Sequence, residues 1–422
     1  MKSKIEPKIL KGFRDFLPEE YNVRKKVFQI FENTFKKYGF EGLETPALEY
    51  FDILMGKYGE EEKLVYNFED FGGREVALKY DLTVPTARVI AMNQDKIKMP
   101  FKRYQIQPVW RADNTQKGRF REFYQCDVDV FGSNSKLCEA ELMLLSIELL
   151  KELGFKEFVI MINNRKILNA IAKYAGAEDK FFEIVYAIDK WTKRTPAETK
   201  DDLIRKGLAE DQVDKVFDCL SLKGSKNSEK LNDLETKLSG VLEGRDGIEE
   251  LRQIIDLVDN EEVIKFTPTI ARGLAYYTGP VYEILILDGN VGSVAGGGRY
   301  DEMIGSMTGG NTPAVGISFG IERIMEIIKE RNMLEGIDQE ERAMVLNIEG
   351  YQKECFDLAN RIRQKGESVF MYPEAKKIGK QLEYAAKQNF TKAYILGEEE
   401  ISNNEVSIKD LKTGEQTKIA IE

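Results

Sequence analysis

The sequence of 422 residues predicts an α+β core carrying a helical insertion, followed by a smaller α/β domain. Three observations support this. Between about residues 40 and 131, and again from about 266, short runs rich in β-branched and aromatic residues alternate with Gly and Pro. From about 180 to 260 the chain becomes charged and helix-periodic, as in DDLIRKGLAEDQVDKVFDCL. After a charged linker at 330–342, strand and helix patterns alternate as β-α-β-α-β, the order of a small domain with a largely parallel sheet.

In order, an opening loop KGFRDFLPEE leads into a helix from about Tyr21 to Tyr38, with Val23, Val27, Phe28, Ile30, Phe31 and Phe35 on its apolar face. Gly39 stops it, and FEGLETPALE reads as a short extended stretch broken by Pro46. Residues 63 to 90 read as strands around a Gly72-Gly73 turn. RYQIQPVW and REFYQCDVDV read as two strands joined by the polar loop RADNTQKGRF. Asn134 or Ser135 is placed to cap a helix bearing Leu137, Leu142, Leu144, Leu145 and Leu149, ending at Gly154. Beyond the insertion, ARGLAYYTGPVYEILIL, GSVAGGGRYDEMIG and TPAVGISFGIERIMEIIKERN read as strand, Gly-rich turn, strand and helix. The terminal domain then runs AMVLNI, a helix from Gln352 to Lys365, ESVFMY, a helix from Lys377 to Gln388, KAYILG and a hairpin.

Composition narrows the chemistry. The chain has no His, which excludes Ser-His-Asp and Cys-His triads, His-containing metal sites and imidazole as general base. Four cysteines, Cys126, Cys138, Cys219 and Cys355, lie far apart with no CxxC, which suits a reducing compartment. No secretory signal or membrane-length apolar run is read, so a cytoplasmic protein without membrane partners is expected. With 62 Lys+Arg against 72 Asp+Glu the net charge is −10. Yet Lys96 to Arg121 holds eight Lys/Arg against Asp113 alone, and Arg361 to Lys392 holds eight against three Glu. Two local basic surfaces on an acidic body would steer phosphates or nucleic acid.

The hairpin around residue 111 carries the clearest chemistry. Arg111 ends its first strand, and Lys117 and Arg119 stand in its loop; guanidinium forks on rigid strands suit phosphate oxygens. On the second strand Arg121, Phe123, Gln125, Asp127 and Asp129 alternate onto one face, an aromatic platform, an amide and two carboxylates in one pocket. A surface hairpin with ordinary ion pairs is the competing reading. Arg323 lies on a helix preceded by Gly316, Ser318 and Gly320, which allow close backbone approach; alternatively it pairs with Glu322 or Glu326. GGGRYD at 296–301 reads as a tight turn, and no GxxxxGKS or GxxxxGKT phosphate loop occurs.

Taken together, the strand–loop–strand around WRAD and the GIER helix resemble motifs 2 and 3 of class II aminoacyl-tRNA synthetases. ARGLAYYTG and GGGRYD resemble the paired signatures of the histidyl-tRNA synthetase family, as do KGFRDFLP, LKYDLTVP and REFYQCDVDV. The resemblance covers nearly the whole chain. It implies a six-stranded antiparallel catalytic sheet flanked by helices in residues 1–335, with the insertion inside it, and an anticodon-binding α/β domain in 336–422. It also implies homodimers formed through about Phe35 to Tyr50.

Its implied activity is histidine–tRNA ligation, with ATP and Mg²⁺ as cofactors and L-histidine and tRNA(His) as partners. Arg272 and Arg111 would be catalytic, Arg272 stabilising charge at the α-phosphate. Arg111, Asp113, Arg119, Phe123 and Arg323 would bind ATP, with Phe123 stacking on adenine opposite Arg323. Asp81, Thr83 and Gln125 would hold the histidine α-amino group. Asp129, Tyr276, Tyr277 and Tyr300 would surround the imidazole, with Arg111 and Arg272 near the carboxylate. Gln116 and Lys117 would meet the acceptor end of the tRNA. No protein-held metal is implied. The substrate carboxylate is already ionised when it attacks, so no general base is needed and a chain without histidine can run the reaction.

Two departures stand out: Ala275 replaces the Asp of the family's usual GLDYY, and ADNTQKGR lacks the Arg or Pro of many bacterial members near Asn114 and Thr115. The alternative reading is a non-aminoacylating paralogue that regulates ATP phosphoribosyltransferase. Such paralogues usually lack the terminal domain and the catalytic Arg signature.

Overall fold

The computed structural model describes residues 5–191, 195–272, 276–287, 289, 291–333 and 341–421. Ala275 and the expected boundary between 335 and 336 lie outside the described residues. The chain divides into two compact units, Met1–Glu335 and Gly336–Glu422.

Strands of the first unit are, in chain order, β1 (Glu41–Gly42), β2 (Leu48–Tyr50), β3 (Asn67–Glu69), β4 (Glu75–Leu78), β5 (Phe101–Trp110), β6 (Glu122–Phe131), β7 (Phe158–Asn164), β8 (Ile264–Phe266), β9 (Pro280–Ile286), β10 (Ala295–Arg299) and β11 (Ala314–Gly320). Among the described residues the main sheet has the order β1-β5-β6-β11-β10-β9-β7-β8. The six central strands are antiparallel throughout, and β1 and β8 add parallel edges. A second, small antiparallel sheet has the order β2-β4-β3.

The period of two along β6 sorts its side chains. Cys126, Val128 and Val130 join the main core with Val27, Phe31 and Phe35 of helix Pro18–Lys37 and with Leu142, Leu145 and Leu149 of helix Leu137–Glu152. The odd-numbered residues of β6 are left for the opposite face, where the cleft lies. Pro18 occupies the first turn of its helix, so that helix starts three residues before the sequence pattern suggested. Leu137 and Leu144 are exposed rather than on the core face.

Two local readings are corrected. Residues Thr83–Met92 are a helix, not strand: Asp81 accepts the Val84 N–H at 3.1 Å, and Val84, Ala87 and Ile90 bury at helical spacing. Gly296–Arg299 belong to central strand β10 rather than a tight turn. The Gly there clears space, because a Cβ on Gly297 would lie 2.0 Å from the Gly316 carbonyl oxygen.

The charged stretch folds as the helices Phe181–Asp189, Pro196–Arg205, Glu210–Leu220, Asn227–Lys237 and Leu242–Val258. Thr195 and Glu198 cap the second of these reciprocally.

In the second unit β12 (Ala343–Val345), β13 (Val369–Met371) and β14 (Lys392–Ile395) are parallel, and β15 (Glu405–Asp410) and β16 (Gln416–Ala420) close an antiparallel hairpin, in the order β13-β12-β14-β15-β16. The basic run 361–392 is not one patch. Arg361, Arg363, Lys365 and Lys392 lie towards the starts of β13 and β14, whereas Lys376, Lys377 and Lys380 follow the end of β13. Several of these cations are paired, Lys392 with Glu341 at 3.1 Å and Lys387 with Glu383 at 2.6 Å.

Candidate active site

One cleft of about 380 Å³ opens on the odd-numbered face of β6. Phe123, Gln125, Asp127 and Asp129 line it from β6, together with Asp81, Thr83, Arg111, Asp113, Arg119, Arg272, Tyr276, Tyr277, Tyr300 and Arg323. Every residue assigned from the sequence to ATP or histidine therefore meets in one place. Gln116 and Lys117 do not line it: Gln116 is exposed and Lys117 pairs with Glu330. Arg121 also points away, donating from Nε to the Asp113 carbonyl at 3.1 Å.

Cross-strand register builds the floor. Asp129 lies opposite Arg103 on β5 and Gly316 on β11. A Cβ on Gly316 would fall 1.8 Å from Asp129 Oδ1, so this glycine makes the carboxylate's berth. Arg103, fully buried, approaches Asp129 Oδ2 at 2.8 Å, at an angle short of a hydrogen bond, and Tyr300 donates to Oδ1. Gln125 donates to Ser318 Oγ at 2.6 Å. Gln125 Oε1 and Asp127 Oδ1 are buried without a protein partner, which marks the floor as built for a polar ligand. At the side, Asp81 accepts from Tyr58 Oη at 3.1 Å.

Four guanidinium groups surround the other half. Arg111 donates from Nε to the Tyr80 carbonyl at 3.1 Å and lies between the Tyr80 and Phe123 rings, 4.2 and 5.1 Å from their centroids. Arg272 has φ +48° and holds Glu283 Oε1 at 3.1 Å. Opposite it, Gly296 is the only side-chain size that fits, since a Cβ would lie 1.8 Å from Arg272 Nη1. Arg119 pairs with Asp113, and Arg323 donates to the Ser293 carbonyl. Glu322 does not pair with Arg323; it binds Arg24 at 2.9 Å and also Arg14. Burial and the neighbouring Arg119, Arg111 and Arg272 press Arg323 below its ordinary pKa. So many partly compensated cations in one wall favour a polyanion. Among the described residues no group of three Asp, Glu or Cys side chains converges to hold a metal ion.

Burial raises the Asp127 carboxyl to about 7, with Arg103 opposing and Asp129 adding to the rise. A carboxyl raised in the fold binds its proton more tightly than in the unfolded chain. Its contribution to stability is full below the unfolded pKa and is lost as pH rises through about 7. Asp127→Asn is expected to remove that loss. Thermal melts from pH 5 to 8 should show the variant gaining on the parent from pH 5 up to about 7 and levelling above it; curves parallel between pH 5 and 7 would contradict the assignment.

Sequence reasoning passed over Tyr58, Tyr80, Arg103 and Glu283. Only Glu283 left a local signal, a lone carboxylate in the apolar strand VYEILI.

Against this geometry the comparisons are decisive. The family model described as histidyl-tRNA synthetase matches residues 12–324, three-quarters of the chain, and an anticodon binding domain matches 342–422. The chain belongs to the histidyl-tRNA synthetase family. A histidine–tRNA ligase of Cytophaga hutchinsonii is 40% identical, across 99% of this chain and 98% of its own. A solved histidyl-tRNA synthetase from Nostoc sp. PCC 7120 is 31% identical with a TM-score of 0.86, covering 99% of this chain and 97% of its own. An ATP phosphoribosyltransferase regulatory subunit/histidyl-tRNA synthetase from Bacillus halodurans C superposes with a TM-score of 0.76 over 93% of this chain and 99% of its own. At 21% identity, that likeness shows the fold alone. Within this synthetase family fold, Arg299 of GGGRYD has a structural place: it binds Glu139 at 2.7 Å and Asp301 at 3.2 Å, buried away from the cleft.

Proposed function

We infer that the chain is a histidine–tRNA ligase, which activates L-histidine with ATP and transfers it to the 3′ end of tRNA(His). The observation that carries this is the cleft that brings Asp129, Gln125 and Tyr300 of its floor together with the guanidinium groups of Arg111, Arg119, Arg272 and Arg323. Asp81, Thr83 and Gln125 receive the α-amino group, and Asp129, Tyr276, Tyr277 and Tyr300 receive the imidazole. Arg111 and Arg272 hold the substrate carboxylate and the α-phosphate, so the ionised carboxylate attacks in line and pyrophosphate leaves. Phe123 and Arg323 sandwich adenine; Arg119 and Arg323 reach the outer phosphates, and Asp113 stands beside them. Charge developing on the α-phosphate meets fixed guanidinium groups, which supply the electrostatic part of catalysis. Mg²⁺ arrives on the phosphates of ATP as part of the substrate.

The regulatory-paralogue reading is not favoured, because histidine–tRNA ligases match along nearly the entire chain and Arg272 stands in the cleft. Among the described residues no helix is long and apolar enough to cross a membrane. A cytoplasmic enzyme is the reading that fits this activity. Homodimerisation uses the small sheet: Leu48, Tyr50 and Phe68 are exposed on it, and Phe71 is fully exposed at its hairpin tip. Phe35 and Phe40, at the start of the 35–50 stretch, are buried within their own subunit. Gln116 and Lys117, outside the cleft on the β5–β6 loop, meet the acceptor end of the tRNA.

Charging assays test the division of labour. Protein truncated after about residue 335 keeps Arg111, Asp129, Arg272 and Arg323, and is expected to form histidyl-adenylate. Its aminoacylation of tRNA(His) should fall through a rise in tRNA KM, because the phosphate contacts of the terminal unit are gone. Unchanged charging by the truncated chain would remove that unit from tRNA recognition.

A further inference from the structure

We propose that the segment Gly12–Phe16, through Gly12 and Arg14, is a strap that positions the β5–β6 loop, and with it the ATP half of the cleft. The proposal rests on the adenylation reading and adds residues to it that do not themselves touch substrate.

The strap meets the loop at two points. The Gly12 carbonyl accepts the Arg121 N–H at 2.9 Å. Gly12 has φ +88°, and a Cβ there would lie 2.7 Å from Arg121 Cγ and 2.9 Å from Thr115 Cγ2. Only glycine lets the strap lie this close. Two residues on, the Arg14 guanidinium covers the Phe120 ring at 3.3 Å from its centroid and binds Glu322. Phe120 and Glu322 both line the cleft.

Glu322 ties these pieces together. It is 3% exposed, in the first turn of helix Ile321–Glu330, immediately before Arg323. Arg24 grips both its oxygens at 2.9 Å, and the Tyr124 N–H on β6 points at Oε1 from 3.4 Å. The Arg14 and Arg24 guanidinium groups both lie on Phe16, at 4.9 and 4.0 Å from its centroid. The inner side of the loop meets the same helix, since a Cβ on Gly118 would lie 3.2 Å from Arg323 Cγ. Thus the loop that carries Asp113 and Arg119 is held between Arg323 within and the strap outside. Arg24 alone suffices to neutralise Glu322, so the second cation is redundant as a charge and specific as a clamp on Phe120.

The test uses the full chain and ATP–pyrophosphate exchange, titrating ATP and histidine separately, with ATP Kd from calorimetry. Arg14→Ala is expected to raise ATP KM and ATP Kd about tenfold while histidine KM and the melting temperature stay near the parent values. Gly12→Val should raise the same ATP constants by lifting the strap from Arg121 and Thr115, again with histidine KM unchanged, although a β-branched residue at φ +88° will also lower the melting temperature. ATP constants unchanged in both variants would overturn the proposal. So would ATP and histidine constants rising together with a fall in melting temperature, the pattern of a merely structural contact. A parent protein that exchanged with no amino acid would sink the adenylation reading instead, and the ATP Kd comparison would still decide the role of the strap.

Discussion

Arg272→Ala is expected to slow histidyl-adenylate formation by about a hundredfold or more, the usual cost of losing one positioned donor to transition-state charge. The fold should survive, because Arg272 makes one ion pair among the described residues, to Glu283 at 3.1 Å, and borders the open cleft. Its left-handed φ of +48° even favours a smaller price for substitution by glycine than by alanine, so Arg272→Gly serves as a folding control. Single-turnover formation of labelled adenylate measures the effect. A variant within a few-fold of the parent would show that the α-phosphate is stabilised elsewhere. Gly296 provides the reciprocal check, since any Cβ there invades the space of the same guanidinium.

Asp129→Ala is expected to cost about 3–5 kcal/mol of stability and to abolish measurable histidine binding. It leaves Arg103, which is fully buried, without the carboxylate 2.8 Å away, and an uncompensated buried cation is among the most expensive defects a core can carry. Asp129 helps push the Asp127 carboxyl up to about 7 in the parent, so without it Asp127 ionises at lower pH; between pH 6 and 8 only the parent then loses stability, and the penalty should shrink at pH 8 relative to pH 6. Urea denaturation at both pH values reads this directly. A loss below about 1 kcal/mol at pH 6 would mean that Arg103 is neutralised by some other group.

What the sequence made legible followed from periodicity. Alternation along REFYQCDVDV put Phe123, Gln125, Asp127 and Asp129 on one face, and the structure places them in one cleft. The charged 180–260 stretch was readable as helices for the same reason. What stayed hidden depends on register between distant segments. Arg103 reaches Asp129 only because β5 pairs with β6 at that offset, and Tyr58 reaches Asp81 across an intervening hairpin. GGGRYD resembled a turn because glycine serves two purposes, permitting bends and vacating space, and one-dimensional reading cannot tell which applies. The basic run 361–392 looked like one patch because spacing along the chain says nothing about which end of a strand a residue occupies.

The most direct measurement of the central claim is ATP–pyrophosphate exchange by the full chain with each of the twenty amino acids in turn. The cleft joins a buried carboxylate–tyrosine floor to a wall of four guanidinium groups, and that arrangement predicts exchange with histidine alone. Exchange with a different amino acid, or with none, would contradict it.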